Sequence, residues 1–203
     1  ENISIPVIVV GNITVGGTGK TPLVIHIANQ LQTKGFYPGI ISRGFGRKNK
    51  KIVEVRVDSV SDQVGDEPCF MARRLTNCPI FVGSDKTKVV QNLLVTYPKV
   101  NVVISDDGLQ HYRLPRDVEI CAIDGKRHLG NGLLLPAGPM REPSWRLNKV
   151  DAIVVKGGPS LLTKKTPCFS MILDAVEIQN LRTPSIVKPL SSLKIFDKEN
   201  KIS

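Results

Sequence analysis

Aromatic residues and long apolar runs are both scarce in this sequence. Only 5% of the 203 residues are Phe, Trp or Tyr, whereas hydrophobic residues make up 41%. A core of ordinary size would therefore consist mainly of aliphatic side chains. No run reaches the roughly 18 consecutive apolar residues that a membrane-spanning helix needs. Residues 1–4 lead directly into a short apolar run, and we expect no signal peptide.

The sequence also lacks the cysteine spacings of metal sites and redox motifs. Its four cysteines form no C-x-x-C pair and match no zinc pattern. They are Cys69, Cys78, Cys121 and Cys168. We expect buried, free thiols in a reducing compartment.

Positive charge is in excess. The formal net charge is +10, which attracts polyanions such as nucleic acid, an anionic lipid surface or a phosphorylated substrate. Charge by itself does not distinguish among these partners. The densest basic segment, residues 47–51, is interpreted as a solvated loop rather than a binding site.

Apolar runs and helical patterns alternate along most of the chain. The runs that suit buried strands are residues 5–10, 39–42, 52–57, 79–82, 100–105, 118–124 and 152–155. Helices are predicted at residues 20–32, 66–75 and 84–97, with Asp66 and Ser84 as N-caps of the last two. The alternation predicts an α/β fold with a doubly wound, mostly parallel sheet of P-loop NTPase type.

The pattern changes after residue 157. Residues 158–203 contain short apolar pieces, at 168–173 and 193–196, separated by charged turns. We therefore predict a P-loop core domain over residues 1–157. Residues 158–203 are predicted to be part of a smaller, strand-rich second domain.

A phosphate-binding loop is predicted at residues 16–21, Gly-Gly-Thr-Gly-Lys-Thr, between a strand and a helix. Glycines let backbone N–H groups approach phosphate oxygens, and the helix N-terminus adds donors and a favourable dipole. Lys20 can bridge the β- and γ-phosphates, and the Thr21 hydroxyl can bind Mg²⁺. Thr14 replaces the first glycine of the strict motif, so the loop is of a variant form. The predicted nucleotide-binding residues are Gly16, Gly17, Thr18, Gly19, Lys20 and Thr21.

A metal-binding acid is predicted where the run at residues 100–105 ends. Asp106 and Asp107 follow it, at the edge where open α/β sheets bind ligands. Asp106 is expected to hold Mg²⁺ together with Thr21, as P-loop NTPases require. Glu142 is a further candidate for the metal, its alternative being a surface salt bridge with Arg141. For Asp106 and Asp107 the alternative is an acidic turn that caps the next segment.

Four more segments, together with residues 10–22, carry a resemblance to a known family. They are Ser-Arg-Gly-Phe-Gly-Arg at 42–47, Gly-Asp-Glu-Pro at 65–68, Asp-Asp-Gly-Leu-Gln-His at 106–111 and Leu-Pro-Ala-Gly-Pro-Met-Arg-Glu-Pro at 135–143. In order and spacing, residues 5–155 resemble the tetraacyldisaccharide 4′-kinase family of bacterial lipid A synthesis.

The resemblance implies an ATP- and Mg²⁺-dependent kinase. Its reaction would transfer the γ-phosphate of ATP to the 4′-hydroxyl of tetraacyldisaccharide 1-phosphate. The family is peripheral on the cytoplasmic face of the bacterial inner membrane, so the expected partners are this glycolipid and an anionic membrane surface. We expect no nucleic-acid partner and a monomer. The family also carries an amphipathic helix before the first strand and a region beyond the position of Ser203, and we expect this chain to lack both.

The resemblance also assigns roles to individual residues. Asp66 would be the base that accepts the proton of the sugar hydroxyl, its alternative being a helix N-cap only. The other expected catalytic residues are Lys20, Asp107 and His111, and the expected substrate-binding residues are Gln110, Arg43, Arg47 and Arg141. For His111 the alternative is a hydrogen-bonded loop residue. His26 and His128 are assigned no chemistry.

Two other functions fit part of the pattern. A P-loop ATPase or amide-forming ligase would explain the loop and Asp106, but not the segment at 106–111. A nucleotide-dependent switch that binds RNA or DNA would use the positive charge. It is disfavoured because aromatics are few and no recognition motif occurs.

Overall fold

The computed structural model describes residues 3–48, 50–158, 165–174, 177–179 and 187–189. In chain order the elements are β1 (Val7–Gly11), α1 (Lys20–Thr33), β2 (Pro38–Ser42), β3 (Val53–Val55), α2 (Ser61–Val64), α3 (Asp66–Arg74), β4 (Ile80–Val82), α4 (Lys86–Thr96), β5 (Val102–Asp106), β6 (Val118–Asp124), a 3-10 helix (Ser144–Asn148), β7 (Ala152–Lys156), β8 (Cys168–Met171), β9 (Glu177–Gln179) and β10 (Val187–Pro189).

One eight-stranded sheet organises the main unit, in the order β3-β4-β2-β5-β1-β6-β7-β8. All neighbouring strands are parallel except β3, which runs antiparallel to β4 at the edge. The central strands are apolar and almost entirely buried, as expected for strands covered on both faces. The predicted doubly wound, mostly parallel α/β fold is confirmed.

Helices cover both faces of this sheet with aliphatic contacts. On one face, Val89 and Leu93 of α4 pack in a cluster with Val103 of β5. On the other, Val24 of α1 and Met71 of α3 join a second cluster. Because both faces are covered, the strand ends are the places where the sheet meets solvent and ligands.

The register of the central strands brings two predicted motifs together. Val10 of β1 is paired with Asp106 of β5. The loop that follows β1 therefore starts beside the acidic end of β5, as the sequence predicted for a phosphate loop and its metal acid.

Both predicted helix caps are wrong. Gly65, with φ +95°, is the N-cap of α3, and Asp66 is the first residue of that helix. Asp85 is the N-cap of α4, where its side chain accepts hydrogen bonds from the backbone N–H groups of Thr87 and Lys88. Gly65 adopts the positive φ without a Cβ penalty.

The chain divides into two units at Met171. Strand β8 runs parallel to β7 and is an edge strand of the eight-stranded sheet. In the unit at residues 172–203, β9 and β10 form an antiparallel pair. The predicted division at residue 157 differs from this by one strand, and the second domain stays a prediction. The apolar segment at 193–196 lies outside the described residues.

No helix in the described segments is long and apolar enough to cross a membrane. All four cysteines are free, and Cys69 and Cys121 are buried. Burial raises the pKa of the Cys121 thiol to about 12, so it packs as an uncharged side chain.

Candidate active site

A cavity of about 580 Å³ opens at the carboxyl ends of β1, β2 and β5. The segments that line it follow these strands or begin α1 and α3, which is where sequence-distant polar side chains meet in a parallel sheet. Its lining residues are Asn12, Thr14, Val15, Gly16, Lys20, Ser42, Arg43, Phe45, Asp66, Glu67, Asp107 and Arg141.

The loop between β1 and α1 requires two of its glycines. Gly19 is the N-cap of α1 with φ +84°, and Gly16 has φ +101°. A Cβ at Gly19 would lie 2.9 Å from Lys156 Cδ, and one at Gly16 would lie 2.5 Å from Arg127 Nη1. A side chain at either position would strain the backbone and displace the flexible side chain of Lys156 or Arg127. The loop ends on the first turn of α1, whose free N–H groups suit a phosphate.

Charged side chains from β6 and β7 hold this loop from one side. Lys156 Nζ donates to the Gly17 carbonyl at 3.0 Å and lies 3.1 Å from Asp124 Oδ2. Arg127 Nη2 also donates to the Gly17 carbonyl, at 3.4 Å. Asp124 accepts from Lys156 and from the backbone N–H groups of Arg127 and Lys126, and these contacts lower its pKa to about 2.

On the other side of the loop, Lys20 faces the cavity. Its Nζ is 3.7 Å from Asp107 Oδ1, and the Lys20 side chain is only 12% exposed. Arg141 Nη1 donates to the same oxygen at 3.0 Å and to Asn12 Oδ1 at 3.1 Å. Burial alone would raise the pKa of Asp107, but Lys20 and Arg141 lower it below its usual value. Two cations and one carboxylate thus lie where phosphate would enter.

Asp106 is buried beside this group. Its Oδ2 accepts from the Ser42 hydroxyl at 3.1 Å, whereas Oδ1 has no hydrogen-bond partner within the described part of the chain. Burial raises the Asp106 pKa to about 6, against the attraction of Lys86 and Lys20. A buried carboxylate oxygen without a donor is the kind of atom that a cation satisfies.

Lys86 reaches the same strand end from α4. It is 2% exposed, and its Nζ donates to Ser105 Oγ at 2.9 Å, to the Asp107 carbonyl at 3.1 Å and to the Asp106 carbonyl. Burial lowers its pKa to about 8, with Asp106 and Asp107 acting in the opposite direction.

Asp66 and Glu67 enter the cavity from the start of α3. Asp66 is exposed, and its carboxylate makes no hydrogen bond or salt bridge with another described residue. Because Gly65 caps the helix, the interpretation of Asp66 as a cap is wrong. A free carboxylate in a cavity that also holds Lys20 is geometrically suited to accept a proton from a bound alcohol.

The sequence model of one family, described as tetraacyldisaccharide-1-P 4′-kinase (LpxK), matches residues 1–196. This chain belongs to the tetraacyldisaccharide-1-P 4′-kinase family.

Individual relatives agree with this. The tetraacyldisaccharide 4′-kinase of Methylobacillus flagellatus is 57% identical over 157 residues, 77% of this chain and 47% of the relative. That of Thiobacillus denitrificans is 45% identical over 197 residues, 95% of this chain and 59% of the relative. A crystal structure of LpxK from Aquifex aeolicus in complex with ATP matches with a TM-score of 0.74 and 33% identity, over 83% of this chain and 55% of that chain. The chain spans about half the length of the curated relatives it matches.

The described residues fit a magnesium nucleotide in this kinase-family fold. The loop at residues 16–19 offers backbone N–H groups, Lys20 a cation, and Asp106 an unpartnered buried oxygen. Among the described residues no group of three His, Cys, Asp or Glu side chains forms a metal cluster. Mg²⁺ in nucleotide sites typically takes one or two carboxylates and completes its shell with phosphate oxygens and water. Thr21, buried at the start of α1, and Asp106 would hold it.

Two further residues predicted for this site, Glu142 and Gln110, bind other groups of the protein. Both Glu142 oxygens accept protein donors, from Gln110 Nε2 and Tyr112 Oη at 2.5 Å each, and Arg146 Nε lies 3.2 Å away. Gln110 Nε2 also donates to the Asn12 carbonyl at 2.9 Å. The alternative of a Glu142 salt bridge with Arg141 is wrong, because Glu142 is buried against Arg146. These contacts make Glu142 and Gln110 supports of the cavity wall, and their metal and substrate roles stay predictions.

The two arginines of the segment at 42–47 differ in whether they reach the cavity. Arg43 lines the cavity, whereas Arg47 donates to the carbonyls of Lys51 and Lys50 at 2.6 and 3.2 Å. His111 does not line the cavity. Its carbonyl accepts from Arg116, and burial and the neighbouring Lys86 lower its pKa. The proposed roles of Arg47 and His111 therefore lack support from direct contact with the cavity.

Sequence reasoning missed several residues of the site. Lys86 and Ser42 contact the predicted acids, and Asn12 contacts Thr18 of the phosphate loop. Lys156 and Arg127 hold that loop. A signal existed for two of them, because Ser42 ends the predicted strand at 39–42 and Lys156 directly follows the predicted strand at 152–155. No sequence signal pointed to Lys86, because a lysine at the start of a helix is normally solvated.

Proposed function

We propose that the protein is an ATP-dependent kinase that transfers the γ-phosphate of ATP to the 4′-hydroxyl of tetraacyldisaccharide 1-phosphate. The names of its family and of its relatives specify this acceptor and position, and the LpxK structure it resembles was solved in complex with ATP. The observation that carries the proposal is the single cavity shared by Lys20, Asp107 and Asp66.

The proposed roles follow the geometry. The loop at residues 16–21 binds the phosphates, and Lys20 neutralises charge on the γ-phosphate. Bound Mg²⁺ would supply further charge neutralisation, held by Asp106 and Thr21. Asp66 accepts the proton of the sugar hydroxyl as the new P–O bond forms, which typically contributes about 10²–10⁴-fold to the rate. Arg43 and Arg141 line the cavity, which supports a role for both in binding phosphate oxygens of either substrate.

We also propose that the protein acts as a monomer at the cytoplasmic face of the inner membrane. The acceptor carries acyl chains, so it resides in a lipid surface. The net charge of +10 favours an anionic surface, and Phe45, which lines the cavity, is 88% exposed. No nucleic-acid partner is proposed.

The test is mass spectrometry of tetraacyldisaccharide 1-phosphate incubated with ATP, Mg²⁺ and the complete protein. We expect one added phosphate, and fragmentation should locate it on the 4′ position. ATP hydrolysis without phosphorylated glycolipid would instead support the ATPase or ligase interpretation. A Lys34→Met variant is the matched control for changes at Lys20, because Lys34 is exposed at the far end of α1.

A further inference from the structure

We propose that Lys86 is a positioning residue for the phosphoryl-transfer site. Its ammonium group holds the Asp106–Asp107 turn so that one carboxylate is presented to the metal and the other to Lys20. The inference rests on the proposed function only in requiring that the site binds Mg²⁺ and ATP.

The contacts of Lys86 converge on one turn of the backbone. Lys86 begins α4, directly after β4, while the turn follows β5, and β2 lies between these strands in the sheet. The side chain therefore spans the width of a strand to reach the Asp106 and Asp107 carbonyls and Ser105 Oγ. One ammonium supplies three donors, and these three acceptors use all of them.

The position is unfavourable for a lysine on general grounds. An ammonium group that is 2% exposed loses its hydration, and a cation at a helix N-terminus opposes the helix dipole. Apolar side chains often replace buried charges at no cost to stability. A lysine in this place is therefore better explained by what it holds than by core packing.

What it holds is an uncommon backbone geometry. Asp107 has φ +48°, in the left-handed region that few non-glycine residues adopt. This turn points the Asp106 side chain inward to Ser42 and the Asp107 side chain outward to Lys20 and Arg141. Because both flanking carbonyls bind the same ammonium, the two carboxylates keep a fixed relation to each other.

The experiment compares the Lys86→Met, Lys86→Gln and Lys86→Arg variants of the complete protein with wild type. Calorimetry measures ATP binding with Mg²⁺ and in EDTA, and steady-state kinetics measures kcat and both KM values over a range of Mg²⁺ concentrations. Lys88→Met, an exposed lysine of the same helix, is the matched control.

For Lys86→Met we expect Mg²⁺-free ATP binding within about twofold of wild type. The gain in affinity from Mg²⁺ should fall by about 10–100-fold, as for other groups that orient metal ligands. The kcat should fall, while the KM for the glycolipid stays within about twofold. Lys86→Arg should retain most of the Mg²⁺ response and Lys86→Gln an intermediate part.

If Lys86 had a purely structural role, the Lys86→Met preparation would contain fewer folded molecules. Each folded molecule would then gain as much ATP affinity from Mg²⁺ as wild type does. A folded Lys86→Met with the wild-type Mg²⁺ response overturns the proposal. If that variant does not fold, a wild-type response in Lys86→Gln overturns it equally. If wild type binds MgATP but phosphorylates no glycolipid, the proposed function fails, and the calorimetric comparison still decides the role of Lys86.

Discussion

The two sides of the phosphate loop use their charged residues differently. Towards β5, Lys20, Asp107 and Asp66 face the cavity, and Asp106 retains an oxygen without a partner in the described chain. Towards β6 and β7, Asp124 and Lys156 bind each other and the backbone of the loop. The free Asp106 oxygen suits a ligand, whereas the Asp124–Lys156 pair supports the loop from the other side.

The largest effect should come from the Asp66→Asn substitution on the cavity side. It keeps the size of the side chain but removes the proposed proton acceptor, so kcat should fall by about 10²–10⁴-fold with little change in the KM for ATP. Steady-state phosphorylation of the glycolipid measures both values. Asp62→Asn is the control, since Asp62 is exposed on α2 and pairs with Lys48. Turnover of Asp66→Asn near the wild-type value would remove the base role.

The Lys20→Met substitution should have the next largest effect. It deletes the cation that we propose stabilises charge on the transferring phosphoryl group, and we expect kcat to fall by about 10²–10³-fold. The KM for ATP should rise as well, because in the proposed role Lys20 also binds the phosphates of ATP. Isotope transfer from γ-labelled ATP measures the loss, and equal activity of Lys20→Met and Lys34→Met would contradict the assignment.

On the β6 and β7 side of the phosphate loop, the Lys156→Met substitution should mainly weaken the binding of ATP. The variant loses a charge-assisted hydrogen bond to the Gly17 carbonyl, so the KM for ATP should rise by about tenfold with a smaller change in kcat. Lys149→Met is the control, because Lys149 lies over the Trp145 ring and does not contact the loop. A fall in kcat comparable with that of Lys20→Met would contradict the assignment of Lys156 to ATP binding rather than to catalysis.

The smallest effect concerns stability. The folded-state pKa of Asp124 lies at about 2, below the unfolded value of about 3.9. Its contribution to stability is therefore present above that unfolded value and disappears as the pH falls towards 2. Asp124→Asn should lower the free energy of unfolding by about 1 kcal/mol at pH 7.

Urea titrations of Asp124→Asn and wild type at pH 7 and pH 3 test this prediction. The difference between the two proteins should shrink at the lower pH. A difference that grows on acidification would contradict the assigned direction.

Local patterns predicted most of the fold. The strand at residues 118–124 was predicted with the bounds that β6 has, and the other strands of the sheet were placed within a few residues. Buried parallel strands and amphipathic helices have strong local signals. Helix caps were predicted less well, since Ser84 and Asp85 are both good caps and only the backbone path decides between them.

Residue types at short spacing were enough to predict the chemistry of the loop at residues 16–21, the acids at the end of β5 and the α/β alternation. The tertiary structure alone decided which distant side chains share one cleft. It placed Asp66 in the same cavity as Lys20 and brought the Lys86 ammonium to the carbonyls of the Asp106–Asp107 turn. Those contacts follow from the strand order β4-β2-β5-β1, and strand order is set by packing over the whole sheet rather than by any local segment.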